Sequence, residues 1–199
     1  GSKALFLLDT SFLDAYYLLK IELHKNSKMR KTKIVMFAGS MGGHFVELIS
    51  LHTLFPKYES VLVTDNLNAN HSDERLKSIR DIVYSKAWAE HRAKTAGVKN
   101  TRSRWQNLFT YLKMFVECFA IYKKYRPAVI VSTGSYIAVP LFIAGKLLGS
   151  KLIFVESNAM VYSKTATGKL IGNIADVVFV QWPEMLKVYP NAIYCGTLV

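Results

Sequence analysis

The sequence contains very little cysteine: only Cys118 and Cys195 occur among its 199 residues. Both lie in apolar stretches, and two such residues are too few for a disulfide framework or a structural zinc site. A reducing, cytoplasmic setting is therefore expected, with no metal ion and no bound cofactor. The chain also lacks internal repeats and low-complexity linkers, and its length is typical of a single domain with a full core.

Acidic residues are also scarce, since 14 Asp and Glu stand against 26 Lys and Arg. The resulting net charge of +12 favours an anionic partner, and nucleic acid, an acidic membrane surface or a phosphorylated substrate would all fit. The chain has no recognised RNA-binding or DNA-binding motif, and its basic residues lie beside apolar stretches rather than along a polar groove. A basic nucleotide-binding or nucleic-acid-binding domain is therefore the least favoured class, and no nucleic-acid partner is expected.

No uncharged apolar run reaches the roughly 20 residues that a membrane-spanning helix requires. The nearest candidate, residues 4–23, is interrupted by Asp9, Asp14, Lys20 and Glu22. Its apolar residues share one helical stripe: Leu5, Leu8, Phe12, Tyr16, Leu19 and Leu23. A basic cluster follows directly: Lys25, Lys28, Arg30, Lys31 and Lys33.

An amphipathic helix followed by basic residues is typical of an interfacial anchor on anionic lipid. We therefore predict an amphipathic helix and basic linker over residues 1–31, and the domain proper over residues 32–199. The alternative is a helix docked on the domain or on a neighbouring chain. Gly1 and Ser2 are typical of a cloning remnant, and Met29 could be a native start, so residues 1–28 could be foreign or optional. The expected membrane contacts are Lys28, Arg30, Lys31, Lys33 and Trp105.

A glycine-rich loop, residues 38–44, lies between an apolar strand pattern at 34–37 and a helical pattern at 45–51. Its glycines allow a tight turn, and the helix that follows directs free N–H groups toward the loop, which favours a phosphate or another anion. The spacing matches neither the dinucleotide fingerprint nor the Walker loop. His44 ends the loop and is a candidate base, acceptor contact or anion contact, the alternative being a capping or packing role.

Strand patterns alternate with helical patterns along the rest of the chain, which predicts an α/β fold with a doubly wound parallel sheet. The predicted strands are 34–37, 60–64, 82–84, 128–131, 152–155, 177–180 and 192–194. The predicted helices include 105–125, 139–148 and 164–174, with a further helix capped by Ser72. Because ligands bind at the carboxyl ends of parallel strands, loops 39–44, 134–136 and 156–158 should share one rim.

Two segments have an unusual composition. Residues 86–104 mix basic side chains with Trp88, which predicts an irregular loop at a membrane interface or a phosphorylated ligand, although single-stranded nucleic acid or plain solvent would give a similar pattern. The helix over 105–125 is apolar nearly all round, so we expect it to be covered by the sheet on one side and by lipid or a partner on the other.

The rim loops together resemble the Alg14 family. The glycine loop is similar to that of the family, and residues 132–136 followed by Val139 and Pro140 resemble its second glycine loop, which is also found in the related MurG enzymes. The most specific resemblance lies in the ordered segments 155–159, 167–170, 175–176 and 180–184. The likeness covers residues 33–199, and bacterial capsule and exopolysaccharide members are the nearest to it.

This resemblance implies a single Rossmann-like half-domain, the amino-terminal half of a GT-B glycosyltransferase that is split into two chains. This half would lie at the cytoplasmic face of the cell membrane and bind a polyprenyl-diphosphate-linked sugar acceptor. It would recruit an Alg13-like chain that binds the UDP-sugar, and would be weak or inactive without it. The alternative is a non-catalytic adaptor that only anchors and activates the partner.

The resemblance also assigns roles on the rim. His44 and Glu156 are the candidates for catalytic base or acceptor-hydroxyl contact, although Glu156 could instead be a cap or ion-pair carboxylate. The residues expected to bind the diphosphate or the acceptor sugar are Gly39, Ser40, Gly42, Gly43, Gly134, Ser135, Tyr136 and Asn158. Asn158 could instead be a turn residue. Residues 182–184 are expected to be structural or at the partner interface, and neither cysteine is expected to be catalytic.

Overall fold

The computed structural model describes residues 34–95 and 104–198. The predicted amphipathic helix and basic linker at 1–31, and the predicted membrane contacts Lys28, Arg30, Lys31 and Lys33, lie outside the described residues. The domain boundaries therefore stay a prediction.

Seven parallel strands form one sheet with the order β3-β2-β1-β4-β5-β6-β7. The strands are β1 Ile34–Ala38, β2 Glu59–Thr64, β3 Asp81–Tyr84, β4 Val129–Ser132, β5 Lys151–Val155, β6 Val177–Val180 and β7 Ile193–Tyr194. This arrangement confirms the predicted doubly wound, Rossmann-like fold, and each predicted strand is present within two residues of its expected bounds.

The central strands are apolar without interruption because both faces of the sheet are covered. In β1, Ile34, Met36 and Ala38 contribute to the core on one face, while Val35 and Phe37 contribute to the core on the other. All five residues are buried. A strand that alternated apolar and polar residues would have one face exposed to solvent. The uninterrupted apolar sequence of β1 therefore requires a covering layer on each side of the sheet.

Among the described residues, five α-helices provide most of these layers: α1 Gly43–Ile49, α2 Lys86–Thr95, α3 Arg104–Tyr125, α4 Ala138–Leu148 and α5 Ala166–Ile171. Three short 3₁₀ segments are His52–Lys57, Glu74–Leu76 and Pro183–Lys187. Helix α1 packs on one face of the sheet, and buried residues of α2, α3, α4 and α5 join the core on the other face. The predicted end of α4 is confirmed, because Gly149 follows it in the left-handed conformation with φ of 81°.

Two local predictions are wrong. Residues 86–95 form a helix rather than an irregular loop, since the Glu117 carboxylate accepts hydrogen bonds from the backbone N–H groups of Lys86 and Ala87 at 2.9 and 3.2 Å. Ser72 does not cap a helix; the chain makes a single 3₁₀ turn there, capped by Asp73, which accepts from the Arg75 N–H at 3.0 Å. In the first case Glu117, distant in sequence, adds to the local cap in which the Ser85 hydroxyl accepts from the Trp88 N–H at 3.3 Å.

Helix α3 presents two different faces. Met114, Cys118 and Tyr122 are buried against the sheet, whereas Phe109, Leu112 and Val116 are 74%, 56% and 60% exposed on the opposite face. Within residues 34–95 and 104–198, no helix combines the length and low charge that crossing a bilayer would require. The predicted outer cover of this helix, lipid or partner, stays a prediction.

Candidate functional site

The site lies at the point where the strand order reverses. Strand β1 is followed along the chain by β2 on one side of the sheet, and β4 is followed by β5 on the other, although β1 and β4 are hydrogen-bonded neighbours. The connections that leave β1 and β4 therefore diverge and open a crevice above the carboxyl ends of the strands, where ligands bind in folds of this type.

The glycine loop after β1 is held mainly by contacts within the domain. Its N–H groups at Gly39 and Met41 donate to the Val63 carbonyl at 3.1 Å and to the Asp65 carboxylate at 2.8 Å. Gly42 directly precedes α1 as its N-cap residue, with φ of 113°, a backbone conformation that favours glycine. Gly43 and His44 are the first residues of that helix, so their N–H groups have no intrahelical acceptor and are available for another partner.

Two serines join the loops after β1 and β4. The Ser40 and Ser135 hydroxyls share a short hydrogen bond, and the indole N–H of Trp88 donates to the Ser40 oxygen at 3.0 Å. Both serines are buried, and Trp88 is also buried and lies in α2 rather than in the irregular loop that the sequence predicted. These contacts fix the relative positions of the two loops and make the serines part of a preorganised wall.

His44 is anchored to the second loop at two points. Its Nδ1 lies 3.0 Å from the Thr133 carbonyl oxygen, and the Thr133 hydroxyl donates to the His44 carbonyl at 2.6 Å. The imidazole ring packs on Gly134, where an added Cβ would lie 2.9 Å from Cε1. Since a carbonyl can only accept, Nδ1 carries the proton, and Nε2 is left as an acceptor nitrogen on a ring that lines the cavity.

Glu47 lies one turn further along α1, and its carboxylate approaches the same imidazole. Its Oε2 lies 3.7 Å from His44 Nδ1, while its Oε1 accepts from the Ser157 hydroxyl at 3.0 Å and from the Asn158 N–H at 2.7 Å. The Glu47 carboxylate raises the pKa of His44 above its ordinary value, with partial burial acting in the opposite direction.

Sequence reasoning missed Glu47. Its signal was a carboxylate three residues after the candidate histidine, on the side of α1 that carries the buried apolar residues.

Glu156 lies beneath the rim rather than in the cavity wall. It is 1% exposed, and its carboxylate accepts from the Tyr189 hydroxyl at 2.6 Å, the Thr165 N–H at 3.3 Å and the Ser157 N–H at 3.1 Å. Burial and the hydrogen bond to Glu156 raise the pKa of Tyr189, so this phenol stays protonated as a donor. Glu156 therefore joins three segments of the chain.

Asn158 connects the rim to the 182–184 segment. Its carbonyl accepts from the Trp182 indole N–H at 2.7 Å, and its N–H donates to Glu47. Its side-chain Oδ1 is buried without a hydrogen-bond partner in the structure. The geometry leaves that oxygen available to an added polar group, and it gives Trp182 a role in supporting the rim.

A cavity of about 600 Å³ opens between these loops. Eleven described residues line it: Ser40, Met41, His44, Trp88, Tyr111, Ser135, Tyr136, Met160, Thr165, Ala166 and Thr167. His44 is the only one of these eleven that can carry a positive charge. The Trp88 and Tyr136 rings lie 6.0 Å apart. The lining therefore combines these aromatic rings and the methionine thioethers with the hydroxyl groups of serine, threonine and tyrosine.

The structure brings most of the predicted rim residues together. Ser40, His44, Ser135 and Tyr136 line the cavity, and the loop glycines are their neighbours in sequence, whereas Glu156 and Asn158 are not among the lining residues. Trp105 lies in α3, and its side chain is outside the described atoms. Lining residues that sequence reasoning did not assign to the site include Tyr111 and Met160, whose only signal was an apolar or aromatic type near a loop or helix end.

Other chemistries find little support among the described residues. No group of three or more His, Cys, Asp or Glu side chains in the part of the chain that the structure describes is placed to hold a metal ion. Cys118 and Cys195 are buried, and burial raises the pKa of each thiol to about 12. Both thiols are therefore protonated near neutral pH and are poor nucleophiles.

Comparison with known proteins gives a consistent result. A family model described as "Oligosaccharide biosynthesis protein Alg14 like" matches residues 34–198. The chain is 24% identical over 190 residues to the UDP-N-acetylglucosamine transferase subunit ALG14 of Mus musculus, covering 88% of this chain and 87% of that one.

Similarity also extends to a longer bacterial enzyme. The chain is 26% identical over 165 residues to the UDP-N-acetylglucosamine--N-acetylmuramyl-(pentapeptide) pyrophosphoryl-undecaprenol N-acetylglucosamine transferase of Prochlorococcus marinus (strain MIT 9211), covering 79% of this chain and 41% of that one. Among solved structures, MurG of Acinetobacter baumannii superposes with a TM-score of 0.54 at 18% identity, over 76% of this chain and 42% of that one. This chain thus spans less than half the length of either, and the structural likeness concerns the fold.

Proposed function

Because this chain belongs to the Alg14 family, we propose that it is the acceptor-binding subunit of a two-component UDP-sugar glycosyltransferase. It works in lipid-linked oligosaccharide or polysaccharide biosynthesis and is associated with the membrane on which its acceptor resides. The observation that supports this function most is the position of His44, which is held by the loop after β4 and lines a cavity at the switch point of the sheet.

The acceptor we propose is a sugar linked through a diphosphate to a polyprenyl chain. The name of the Prochlorococcus relative includes such a lipid, pyrophosphoryl-undecaprenol. In this chain, the N–H groups of Gly43 and His44 would contact the diphosphate, with Gly39, Gly42 and Gly134 shaping the backbone around it. Ser40, Ser135, Tyr136 and Asn158 would contact the acceptor sugar, and the aromatic wall suits its apolar ring face.

His44 is the proposed general base. With the Nδ1 proton directed to the Thr133 carbonyl, Nε2 can accept the proton of the acceptor hydroxyl as that oxygen bonds to the anomeric carbon of the donor sugar. The bond from that carbon to the diphosphate oxygen then breaks, and UDP leaves with the electron pair. Charge on the departing diphosphate is stabilised mainly by the chain that binds the donor.

For Glu156 we propose the structural alternative rather than direct catalysis. Its carboxylate is occupied by Tyr189, Thr165 and Ser157, and it does not line the cavity. Direct contact between Glu156 and the acceptor stays a prediction. Transfer that survives in Glu156→Gln, with only a lower melting temperature, would support the structural role.

The partner we propose is an Alg13-like chain that binds the UDP-sugar. This proposal is supported by the alignment lengths, since the chain matches less than half of the Prochlorococcus transferase and of MurG. A second chain would supply the function of the unmatched part. The pair would meet across the carboxyl edge of the sheet, at the cytoplasmic face of the membrane, with Lys28, Arg30, Lys31, Lys33 and Trp105 contacting anionic lipid.

For the biological product we propose a bacterial capsule or exopolysaccharide, as the resemblance in the rim loops implies. None of the names of the relatives reported above mentions a capsule. The adjacent reading frame tests both proposals, because it should encode a short chain that resembles the donor-binding half of a GT-B enzyme among polysaccharide genes.

The direct test of function compares two histidine variants of the assembled pair. His44→Ala should lower sugar transfer by about a hundredfold or more, the usual contribution of a general base. His52→Ala is the matched control, since His52 also contacts a backbone carbonyl but lies in the 3₁₀ segment outside the cavity. Unchanged transfer by His44→Ala, with the pair intact, would leave a non-catalytic adaptor as the function.

A further inference from the structure

The carboxylate of Glu47 contains a buried oxygen atom without a hydrogen-bond partner. The side chain is 6% exposed, and Oε2 accepts no hydrogen bond within the structure. A buried carboxylate oxygen in this state is unfavourable unless a positive charge or a donor becomes available to it. The nearest cationic candidate is Nδ1 of His44, at 3.7 Å.

The other oxygen explains why Glu47 cannot simply turn away. Oε1 is held by the Ser157 hydroxyl and the Asn158 N–H, both on the loop that follows β5. This double attachment fixes the carboxylate plane from a different part of the chain and keeps Oε2 directed toward the imidazole. The loop after β4 therefore contacts the His44 ring directly through Thr133, and the loop after β5 acts on it through Glu47.

We propose that Glu47 is a positioning residue for His44, fixing the orientation of its ring and stabilising its charged form during proton transfer. The inference rests on the proposed role of His44 as the base. In the neutral form that can act as a base, Nδ1–H donates to the Thr133 carbonyl, and Glu47 Oε2 lies 3.7 Å from Nδ1.

The proton balance shows where Glu47 acts. The acceptor hydroxyl gives its proton to Nε2, its oxygen forms a bond to the anomeric carbon, and the carbon–oxygen bond to UDP breaks with the electron pair on UDP. The imidazole thereby gains a net positive charge, and Nδ1–H then faces Oε2 of Glu47, which accepts no hydrogen bond in the structure. The interaction is thus stronger after proton transfer than before it, which is the condition for accelerating the step.

The other groups around His44 are weaker candidates for this role. Glu156, on the loop after β5, also raises the pKa of His44, but it is the smallest contributor and its carboxylate is already hydrogen-bonded to Tyr189. Thr133 offers a neutral carbonyl. Glu47 alone combines a charge, a fixed position and an unused oxygen.

The test uses Glu47→Gln in the assembled pair, because glutamine retains an oxygen that can accept from Ser157 and Asn158 while the charge is removed. Histidine-ring NMR signals, with His44 assigned from His44→Gln, give the pKa directly, and the pH profile of sugar transfer gives it independently. We expect the pKa of His44 to fall toward its ordinary value, the acidic limb of the profile to move to lower pH, and kcat to fall about a hundredfold with KM nearly unchanged.

Two comparison variants isolate the charge. Ser157→Ala removes a hydrogen bond to Glu47 but keeps the carboxylate, so the pKa of His44 should stay raised. Glu156→Gln should lower that pKa by less than Glu47→Gln does. If Glu47→Gln folds poorly, Glu47→Asp replaces it, and it should retain a raised pKa with a reduced kcat.

The outcomes separate this inference from the proposed function. An unshifted pKa and an unshifted pH limb in Glu47→Gln would overturn the role of Glu47, even if overall transfer fell through loss of structure. If His44→Ala transferred sugar normally, the proposed function of His44 would fail first, and the positioning role would fail with it. A shift of the acidic limb in Glu47→Gln, together with loss of sugar transfer in His44→Ala, supports both the positioning role of Glu47 and the proposed function.

Discussion

At the scale of single residues, the position of the His44 ring depends on the absence of a side chain at Gly134. Gly134 adopts φ of 108°, and a Cβ there would lie 2.9 Å from both Cε1 and Nδ1 of the histidine ring. Any side chain would thus be strained in its backbone and would displace the imidazole from Thr133. The loop therefore requires glycine for two independent reasons.

Replacing Gly134 by alanine should destabilise the fold by about 1–3 kcal/mol, the usual cost of a strained backbone conformation, and should abolish most transfer. Gly43→Ala is the control for stability, since an added Cβ there meets no atom within 4 Å and alanine favours a helix. Thermal unfolding checks both variants. Equal melting temperatures for Gly134→Ala and the parent chain would contradict this reading of the loop.

The charge of His44 should also be visible in stability. Its pKa is raised in the folded state from an ordinary value of 6.5. The group therefore stabilises the fold fully below that unfolded value, and this contribution is lost as the pH rises through the higher folded pKa. The free energy of unfolding, measured against pH for the parent chain and for His44→Gln, should differ most at acid pH, and a difference independent of pH would contradict the assignment.

At the scale of elements, one carboxylate from α3 completes the cap at the start of α2. Ser85, directly before α2, caps it locally by accepting from the Trp88 N–H at 3.3 Å. Glu117 on α3 completes the cap by accepting from Lys86, Ala87 and the Ser85 hydroxyl, the last at 2.6 Å. Glu117→Ala should cost about 2 kcal/mol in unfolding free energy, because charge-assisted hydrogen bonds are lost.

The matched control for Glu117 joins the same two helices. Glu90 of α2 and Lys113 of α3 form an exposed ion pair at 3.4 Å, which should contribute less than about 1 kcal/mol. Glu90→Ala should therefore unfold at nearly the same denaturant concentration as the parent chain. If Glu117→Ala and Glu90→Ala unfolded at the same denaturant concentration, the hydrogen bonds to Glu117 would not account for the stability of α2.

The strands and the long helices could be predicted because their signals are local. Buried parallel strands are continuous apolar runs, and α3 and α4 end at strong signals, a Lys-Lys-Tyr-Arg-Pro stretch and Gly149. Helix α2 was missed because only part of its cap is local: Ser85 accepts from the Trp88 N–H, whereas the Glu117 carboxylate that accepts from Lys86 lies 31 residues away in sequence. The turn at 72–76 depends on a choice between Ser72 and Asp73 that propensity alone does not decide.

At the scale of the whole molecule, the topology assembles the site. Rim loops far apart in sequence meet because β1, β4 and β5 are neighbours in the sheet, and this much follows from the alternating pattern of elements. The orientation of side chains at the rim does not follow from it. Glu156 turned inward toward Tyr189, and Glu47 reached the ring of His44, because packing between loops selects rotamers that the sequence pattern does not specify.

Membrane attachment is a property of the whole chain, and the first prediction concerns its basic cluster. Deleting residues 3–28, or reversing the charges of Lys28, Arg30, Lys31 and Lys33, should weaken binding to anionic liposomes at least about tenfold, because each surface cation contributes about 1 kcal/mol. The loss should shrink as salt is raised. Sedimentation with vesicles measures both effects.

The control reverses an equal number of exposed basic residues elsewhere: Lys57, Arg75, Lys77 and Arg80. These changes should affect liposome binding much less. If neither the deletion nor the first set of reversals weakened binding, the exposed face of α3, with Phe109, Leu112 and Val116, would be the attachment surface instead.

The most direct measurement of the central claim identifies which chain of the pair holds the acceptor. A short-chain prenyl-diphosphate sugar with a photoreactive group would be crosslinked to the assembled enzyme, and the labelled peptides sequenced by mass spectrometry. We expect label on this chain at cavity residues such as Tyr136 and Met160, reduced by unlabelled acceptor but not by UDP-sugar. Label confined to the partner, or label on this chain that UDP-sugar removes, would contradict an acceptor site at the switch point of this sheet.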